Sequence, residues 1–460
     1  MKKHLLIFLS TLVFVVLFYN QDLGLNLSIF AIFLMIFNFV QKPKMLKNKR
    51  ALFLASTVLL CSLSNAWLTS FVTFLAVMVS SFVFRLYCEN QKLRLIMQSI
   101  IFASNWFAYV VQFFQFNTWF ETKKSDKEKL FMKIFSYIVL PFLILGVFFA
   151  LYVSTSDTLL AWYQRFELDI NFFIIFVAIF GFYISFVFWN AKIYEVFITL
   201  NRSLKTNFTA HAKKNQKPTF DFLPLEFEMR SGIITLVCLN FMLLFFIVVF
   251  NVEHIQNPAI NLGDFSNRIH EQIYSIIGSI VLAMLVILFF FKDALNFIQN
   301  NKYLVLGAKC WVILNAVLLA SAVYQNSVYV TNLGLTYKRL GVYMFLILCF
   351  YGLHFTFKKI QNQKTNFYLV DKMTWGFFYT LVFCSLFNWG SFITYYNLTL
   401  NKTDMEYLEY DLDGNEKELL EYYKAKNLEI PEYLINRVNR QKEKSFLSSQ
   451  LYYQTVDLNP

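Results

Sequence analysis

Residues 233–250 read IITLVCLNFMLLFFIVVF, a run without a single charged side chain. About 20 apolar residues carry an α-helix across the hydrocarbon core of a bilayer. Only helices and closed barrels satisfy every backbone N–H and C=O there. This run therefore predicts a membrane-spanning helix, and the chain repeats the pattern. Comparable runs fall at 5–19, 23–40, 134–153, 170–189, 273–291, 303–324, 340–357 and 373–387. Phe accounts for 56 of the 460 residues, and 57% of the chain is hydrophobic. Only 15% is charged, against about 25% in soluble domains. The expected fold class is all-α: a polytopic transmembrane bundle over 1–390 and a small helical extramembrane tail over 391–460.

Charge placement predicts orientation. Gln41-Lys42-Pro43-Lys44-Met45-Leu46-Lys47-Asn48-Lys49-Arg50 carries five cations in ten residues, and such loops stay cytoplasmic. That puts the N-terminus inside, because the Asn20-Gln21-Asp22 turn has no cation. Lys123, Lys124, Lys127 and Lys129, the basic loop over 190–230, Lys292 and Lys302, and Lys358, Lys359, Lys364 and Lys372 fall on the same side. Residues 51–116 leave two readings open. Ala51–Leu63 and Trp67–Phe84 are two short spans and Leu95–Phe116 lies at the interface or re-enters, or 51–84 is one bent span and 95–116 crosses. Either way the count comes to about eleven spans, N-terminus in and C-terminus out. The start of the chain has signal-peptide character, but Phe18-Tyr19-Asn20-Gln21 offers no small-residue cleavage site, so Leu5–Tyr19 reads as the first span. With 13 Gly and 7 Pro, the matched broken helices of an inverted-repeat transporter are not in view.

The tail changes character. Glu416–Lys426 and Pro431–Lys444 read as helices, the first capped by Asp413 or Asn415 and the second opened by Pro431. Their Leu and Tyr residues predict a hairpin resting on the outer face. Asp411-Leu412-Asp413-Gly414-Asn415-Glu416 resembles the start of a calcium loop, but its glycine stands fourth rather than sixth, so it reads as a turn. The six cysteines form no CxxC pair and read as small apolar residues. His254 and His270 share an outer loop with Glu253 and Glu271 without ligand spacing. No metal, cofactor or nucleic-acid partner is expected, and no GxxxxGK[ST], HExxH or GxSxG motif occurs. Ionisable groups within the runs reduce to Lys309 and His354, with Asn240 and Asn315 as uncharged polar groups able to bond between helices. That poverty counts against proton-coupled transport and catalysis inside the membrane.

Two segments stand out. In Asn332-Leu333-Gly334-Leu335-Thr336-Tyr337-Lys338-Arg339-Leu340-Gly341-Val342-Tyr343, the residues Thr336, Lys338 and Arg339 are candidates for an anion, headgroup or salt-bridge contact at a helix entry. In Asn388–Leu398, Trp389, Tyr395 and Tyr396 are candidates for an interfacial aromatic belt. With the Tyr/Leu-rich tail, these segments make the chain resemble the bacterial many-span families of domains of unknown function 4153 and 4173. Those families carry a GLT-x-x-R loop before a late span and an Ala-Arg-Tyr-Asn segment after the last. Here Thr394-Tyr395-Tyr396-Asn397 stands in that second place, so no role for an arginine carries over. The resemblance spans about residues 130–430 and implies a polytopic protein of the bacterial cytoplasmic (inner) membrane, with no reaction attached. The residues point first to a non-enzymatic sensor, regulatory or scaffold subunit whose partners are the bilayer and other membrane or envelope proteins. A transporter of a lipidic or amphiphilic substrate comes second. A lipid-modifying enzyme using Lys338 and Arg339 comes third.

Overall fold

The computed structural model describes residues 3–113, 137, 140–156, 158–159, 172–191, 193–210, 213, 218, 222–256, 262–298, 300–401 and 404–458. The expected basic loop at Lys123–Lys129 lies outside them, as do the side chains of His254, Asp264, His270 and Glu271. Among the described residues every regular element is a helix, apart from an isolated bridge between Asn207 and Lys364.

The bundle is built from α1 (Lys3–Phe18), α2 (Leu25–Gln41), α3 (Lys49–Trp67), α4 (Phe71–Glu89), α5 (Leu95–Phe113), α6 (Leu140–Thr155) and α7 (Phe172–Trp189). After a short α8 (Glu195–Ser203) come α9 (Leu225–Gln256), α10 (Leu262–Phe290), α11 (Lys302–Leu333), α12 (Tyr337–Gln361) and α13 (Asn366–Ser385). Among the described residues, α3, α4, α9, α11 and α12 are long and apolar enough to cross a membrane. α13 and α14 (Trp389–Thr399), bent by 68° at their break, make a sixth if taken as one span. The tail continues as α15 (Met405–Tyr410), α16 (Glu416–Ala425), α17 (Glu432–Lys442) and α18 (Leu451–Gln454).

Local chemistry sets the breaks. Asn48 opens α3 by accepting from the Arg50 and Ala51 amides. Ser70 and Thr73 form a reciprocal capping box that opens α4, each exchanging a side-chain oxygen for an otherwise orphaned amide. These caps divide residues 51–89 into two helices, so the alternative of one bent span is not what the chain adopts. α5 then starts beside the end of α4, and its Phe102 ring lies 4.4 Å from Phe82, so its first two turns enter the bundle. α13 begins at Asn366, well before the expected start at Met373, which lengthens that helix.

Three apolar clusters hold the bundle. One joins α9–α12 through residues such as Leu236, Ile280, Leu318 and Leu346. A second joins α2, α3 and α4 to α13. A third joins α1, α2 and α7. Close van der Waals packing of these side chains holds the helices together. The outer surface is also apolar: Phe142, Phe241 and Phe245 are each more than 70% exposed.

The helix turns sort into two faces. On one, the α1–α2 turn meets the tail where the Leu25 amide donates to Ser449 O (3.1 Å). The α3–α4 turn meets it where the Thr69 amide donates to Gln450 Oε1 (3.1 Å). On the opposite face, Asn201 Nδ2 donates to Lys92 O (2.9 Å), Gln363 Nε2 to Asn296 O (2.8 Å), and Thr365 Oγ1 bonds Lys205 O (2.5 Å). The second face holds Lys42, Lys44, Lys47, Lys49, Arg50, Lys92, Arg94 and Lys205.

Candidate functional site

The two segments singled out in the sequence meet. α11 ends at Gly334, whose φ of 80° is a left-handed cap that only glycine adopts freely. Leu335 follows, and its backbone is held on both sides by Asn397 of α14. The Leu335 amide donates to Asn397 Oδ1 at 2.6 Å, and Asn397 Nδ2 donates to Leu335 O at 2.8 Å. Thr336 then opens α12, its hydroxyl accepting from the Arg339 amide at 3.3 Å. The next amide, of Tyr337, donates to the Tyr407 hydroxyl of the tail at 2.9 Å.

Arg339 turns inward. Its Nη1 donates to Leu333 O (2.8 Å) and to Gly334 O, while its guanidinium lies 4.0 Å from the Tyr329 ring centroid. The carbonyls at a helix C-terminus have no partner within the helix, and the helix dipole favours a cation there. Arg339 supplies that cation over an aromatic face, which removes it from the outer surface. Lys338, its neighbour, is exposed. Of the aromatic trio, Trp389 donates Nε1 to Cys384 O at 2.7 Å, Tyr395 is exposed, and Tyr396 packs on the apolar cluster of the tail.

That cluster takes Val330 and Leu335 from the bundle, Ile393 from α14, and Leu408, Leu412, Leu419, Leu434 and Val438 from the tail. Asn415 precedes α16 but does not cap it with its side chain. It donates instead to Thr394 Oγ1 (2.8 Å) and Leu408 O (2.7 Å). Pro431 stands just before α17 as its N-cap. Glu416 is fully buried, 2.9 Å from Arg437 Nε and 3.1 Å from the Tyr453 hydroxyl. Burial pushes its carboxyl above the usual range, with Arg437 opposing. Gly390 admits the tail closely: a Cβ there would lie 2.0 Å from Asp413 O.

Arg339 is one of three buried cations among the described residues, and all three sit at helix ends. Arg85, unexposed, donates Nε to Phe188 O (3.1 Å) and Nη2 to Trp189 O (3.0 Å) at the end of α7. It also reaches Asn38 Oδ1 (3.2 Å), Glu89 Oε1 (3.4 Å) and the Trp189 ring. Lys42 also bonds Glu89 and donates to Cys88 O at 2.8 Å. Lys359 donates to Phe291 O (2.7 Å) just past α10. Of this group the sequence singles out Arg339 but gives no signal for Arg85 or for the burial of Lys359, and it points instead to Lys309 and His354. Lys309 lies over the Phe357 ring at 5.4 Å. Asn240 bridges helices by donating to Gly307 O (3.0 Å), whereas Asn315 donates back to Trp311 O on its own helix (2.8 Å).

The basic face holds a cavity of about 750 Å³ between α3, the α4–α5 turn and α13. Among the described residues, Arg50, Lys92, Arg94 and Lys372 line it, with Asp371 as the one carboxylate. Arg94 reaches Asp371 at 3.8 Å and lies 4.9 Å from the Phe367 ring centroid. Lys372 lies over Phe355 and Tyr368 at 5.5 and 5.9 Å. Among the described residues no carboxylate pairs with Arg50, Lys92 or Lys372. Aromatic rings line the cavity beside these cations on the same helices, with Phe53 and Tyr379 at 6.4 Å and Trp375 and Tyr379 at 5.4 Å between ring centroids. A second cavity, of about 480 Å³, is apolar and lies among Phe14, Phe30, Met78, Phe102 and Phe180. Among the described residues, no group of three or more His, Cys, Asp or Glu is placed to hold a metal.

A family model described as a domain of unknown function, DUF4153, matches residues 51–421. The match begins in the first turn of α3 and ends within α16, so it takes in the Leu335–Asn397 junction and every described residue of the basic cavity except Arg50. No curated protein and no solved structure matches the chain.

Proposed function

The chain belongs to the DUF4153 family, and on that premise we propose that it is a scaffold or regulatory subunit of the bacterial cytoplasmic membrane. In this reading it crosses the bilayer about eleven times, with its N-terminus and basic face in the cytoplasm and its tail outside. Support for the orientation comes from the two faces. Cations concentrate at the helix turns opposite the tail, where the positive-inside rule expects the cytoplasm. α1, α2, α3 and α4 return the chain to the basic face, and α7 ends there as well. One outward crossing between α4 and α7 then makes six crossings by the end of α7, and α9–α13 add five, which gives eleven.

The observation that carries the scaffold reading is the seating of the tail. It is bonded to four separate turns of the bundle: Leu25 to Ser449, Thr69 to Gln450, Leu335 to Asn397, and Asn388 to Gly414. A segment tied at four points is a rigid platform, and preorganised surfaces lose less entropy on binding a partner. The test is co-purification from native membranes in mild detergent. A stoichiometric membrane or envelope partner, lost when Gly390→Val or Asn397→Ala loosens the tail, is expected. Elution of the full chain alone under every mild condition contradicts the reading.

A second reading, carriage of a lipidic or amphiphilic substrate, draws on the apolar cavity beside α1, α4, α5 and α7. Proteoliposome uptake of a spin-labelled lipid tests it. The third, a lipid-modifying enzyme with Lys338 and Arg339 sharing a headgroup, loses support because Arg339 is engaged by the α11 carbonyls.

A further inference from the structure

We propose that the basic cavity between α3, α5 and α13 binds the phosphate of an anionic amphiphile, with its aromatic rings receiving the apolar part of that ligand. The site lies on the face opposite the tail and does not depend on the scaffold reading.

The cavity carries more positive than negative charge. Among the described residues, four cations and one carboxylate line the cavity, and of these cations Arg94 alone reaches that carboxylate. Arg50 comes from the first turn of α3, Lys92 from the α4–α5 turn and Lys372 from α13. Three separate elements thus bring like charges to one concavity, an arrangement that repels itself until an anion enters. The buried cations elsewhere in the bundle are consumed by helix-end carbonyls; Arg50, Lys92 and Lys372 are not. Aromatic rings hold the cations in place: Lys372 lies over Phe355 and Tyr368, and Arg94 over Phe367.

Size and wall chemistry then select the ligand class. A volume of about 750 Å³ exceeds what a bare phosphate ion needs and suits a larger ligand. Phe53 and Tyr379 line the cavity and are each 45% exposed, so these rings offer accessible apolar surface for an acyl chain beside the cations. Basic pockets between spans on the cytoplasmic side recognise phospholipid headgroups by the same combination.

The experiment uses the full chain, purified in mild detergent and exchanged into phosphatidylcholine nanodiscs with a rising share of phosphatidylglycerol. Lipid retained after a detergent wash is counted by native mass spectrometry. Wild type is expected to retain phosphatidylglycerol over phosphatidylcholine. Arg50→Gln/Lys92→Gln/Lys372→Gln is expected to retain at least about tenfold less. Lys44→Gln/Lys47→Gln/Lys205→Gln removes the same charge from the same face outside the cavity and is expected to behave as wild type. Equal loss in both triple variants, or no preference in wild type, overturns the proposal. If the cavity triple variant is not monodisperse, Lys372→Gln alone is read on the same scale. Millimolar inorganic phosphate or glycerol phosphate separates the sources: persistence of the bound lipid assigns the site to the membrane, and full displacement assigns it to a soluble phosphate ester.

Discussion

Asn397 holds both backbone groups of Leu335, accepting from its amide at 2.6 Å and donating to its carbonyl at 2.8 Å across 62 residues of sequence. One side-chain amide thereby stands in for a strand neighbour and fixes the α11–α12 turn to α14. Both residues are buried.

Asn397→Ala orphans two buried backbone groups, each costing about 1–3 kcal/mol. Thermal unfolding in detergent should show a clearly lowered midpoint. Asn397→Asp keeps the acceptor and loses the donor, so its midpoint should fall between those of wild type and Asn397→Ala.

Lys338 and Arg339 are adjacent but differ in role. Arg339→Met removes the cation from the Leu333 and Gly334 carbonyls and from the Tyr329 face, and a loss of about 1.5–3 kcal/mol is expected. Lys338→Ala should stay within about 0.5 kcal/mol of wild type, as exposed substitutions do. Unfolding midpoints of the two variants measured side by side check this contrast. Equal effects would contradict the inward placement of Arg339.

Arg85 should be the most sensitive cation in the N-terminal half. Arg85→Lys keeps the charge but loses the fork that reaches Phe188 O, Trp189 O and Asn38 together. Fluorescence-detected size-exclusion of a tagged chain should report reduced monodisperse protein for Arg85→Lys and near-absence for Arg85→Ala.

Glu416 makes the tail pH-sensitive. Burial raises its folded carboxyl above the unfolded value, so the folded state binds the proton more readily. Its contribution is fully present below the unfolded value and is lost as pH rises through the raised folded one. Hydrogen exchange of α16 and α17 should therefore quicken as pH climbs through that window, after correction for intrinsic exchange. Glu416→Gln should flatten the dependence.

The apolar runs were legible because the signal for a span lies within one stretch of sequence. So were the tail helices and the two segments at 332–343 and 388–398, whose residue types are unusual for their surroundings. What escaped was set by distance. Arg85 sits in the last turn of an apolar run, and its carbonyl partners lie about 100 residues away. Lys358 and Lys359 look alike in sequence, yet the turn of the helix leaves one exposed and buries the other against Phe291 O. The basic cavity draws on residues from 50 to 379, and no local pattern joins them. Position alone makes Asp413 or Asn415 a candidate cap, but tertiary contacts with Thr394 and Leu408 claim the Asn415 side chain.

The central claim is that the tail and the basic loops lie on opposite sides of a bilayer. Its most direct test is labelling with a membrane-impermeant maleimide in intact cells, using Lys426→Cys on the tail and Lys44→Cys on the basic face, each in a background with the six native cysteines replaced. The account predicts labelling of the Lys426→Cys chain in intact cells and of the Lys44→Cys chain only after permeabilisation. Labelling of both in intact cells, or the reverse pattern, would contradict it.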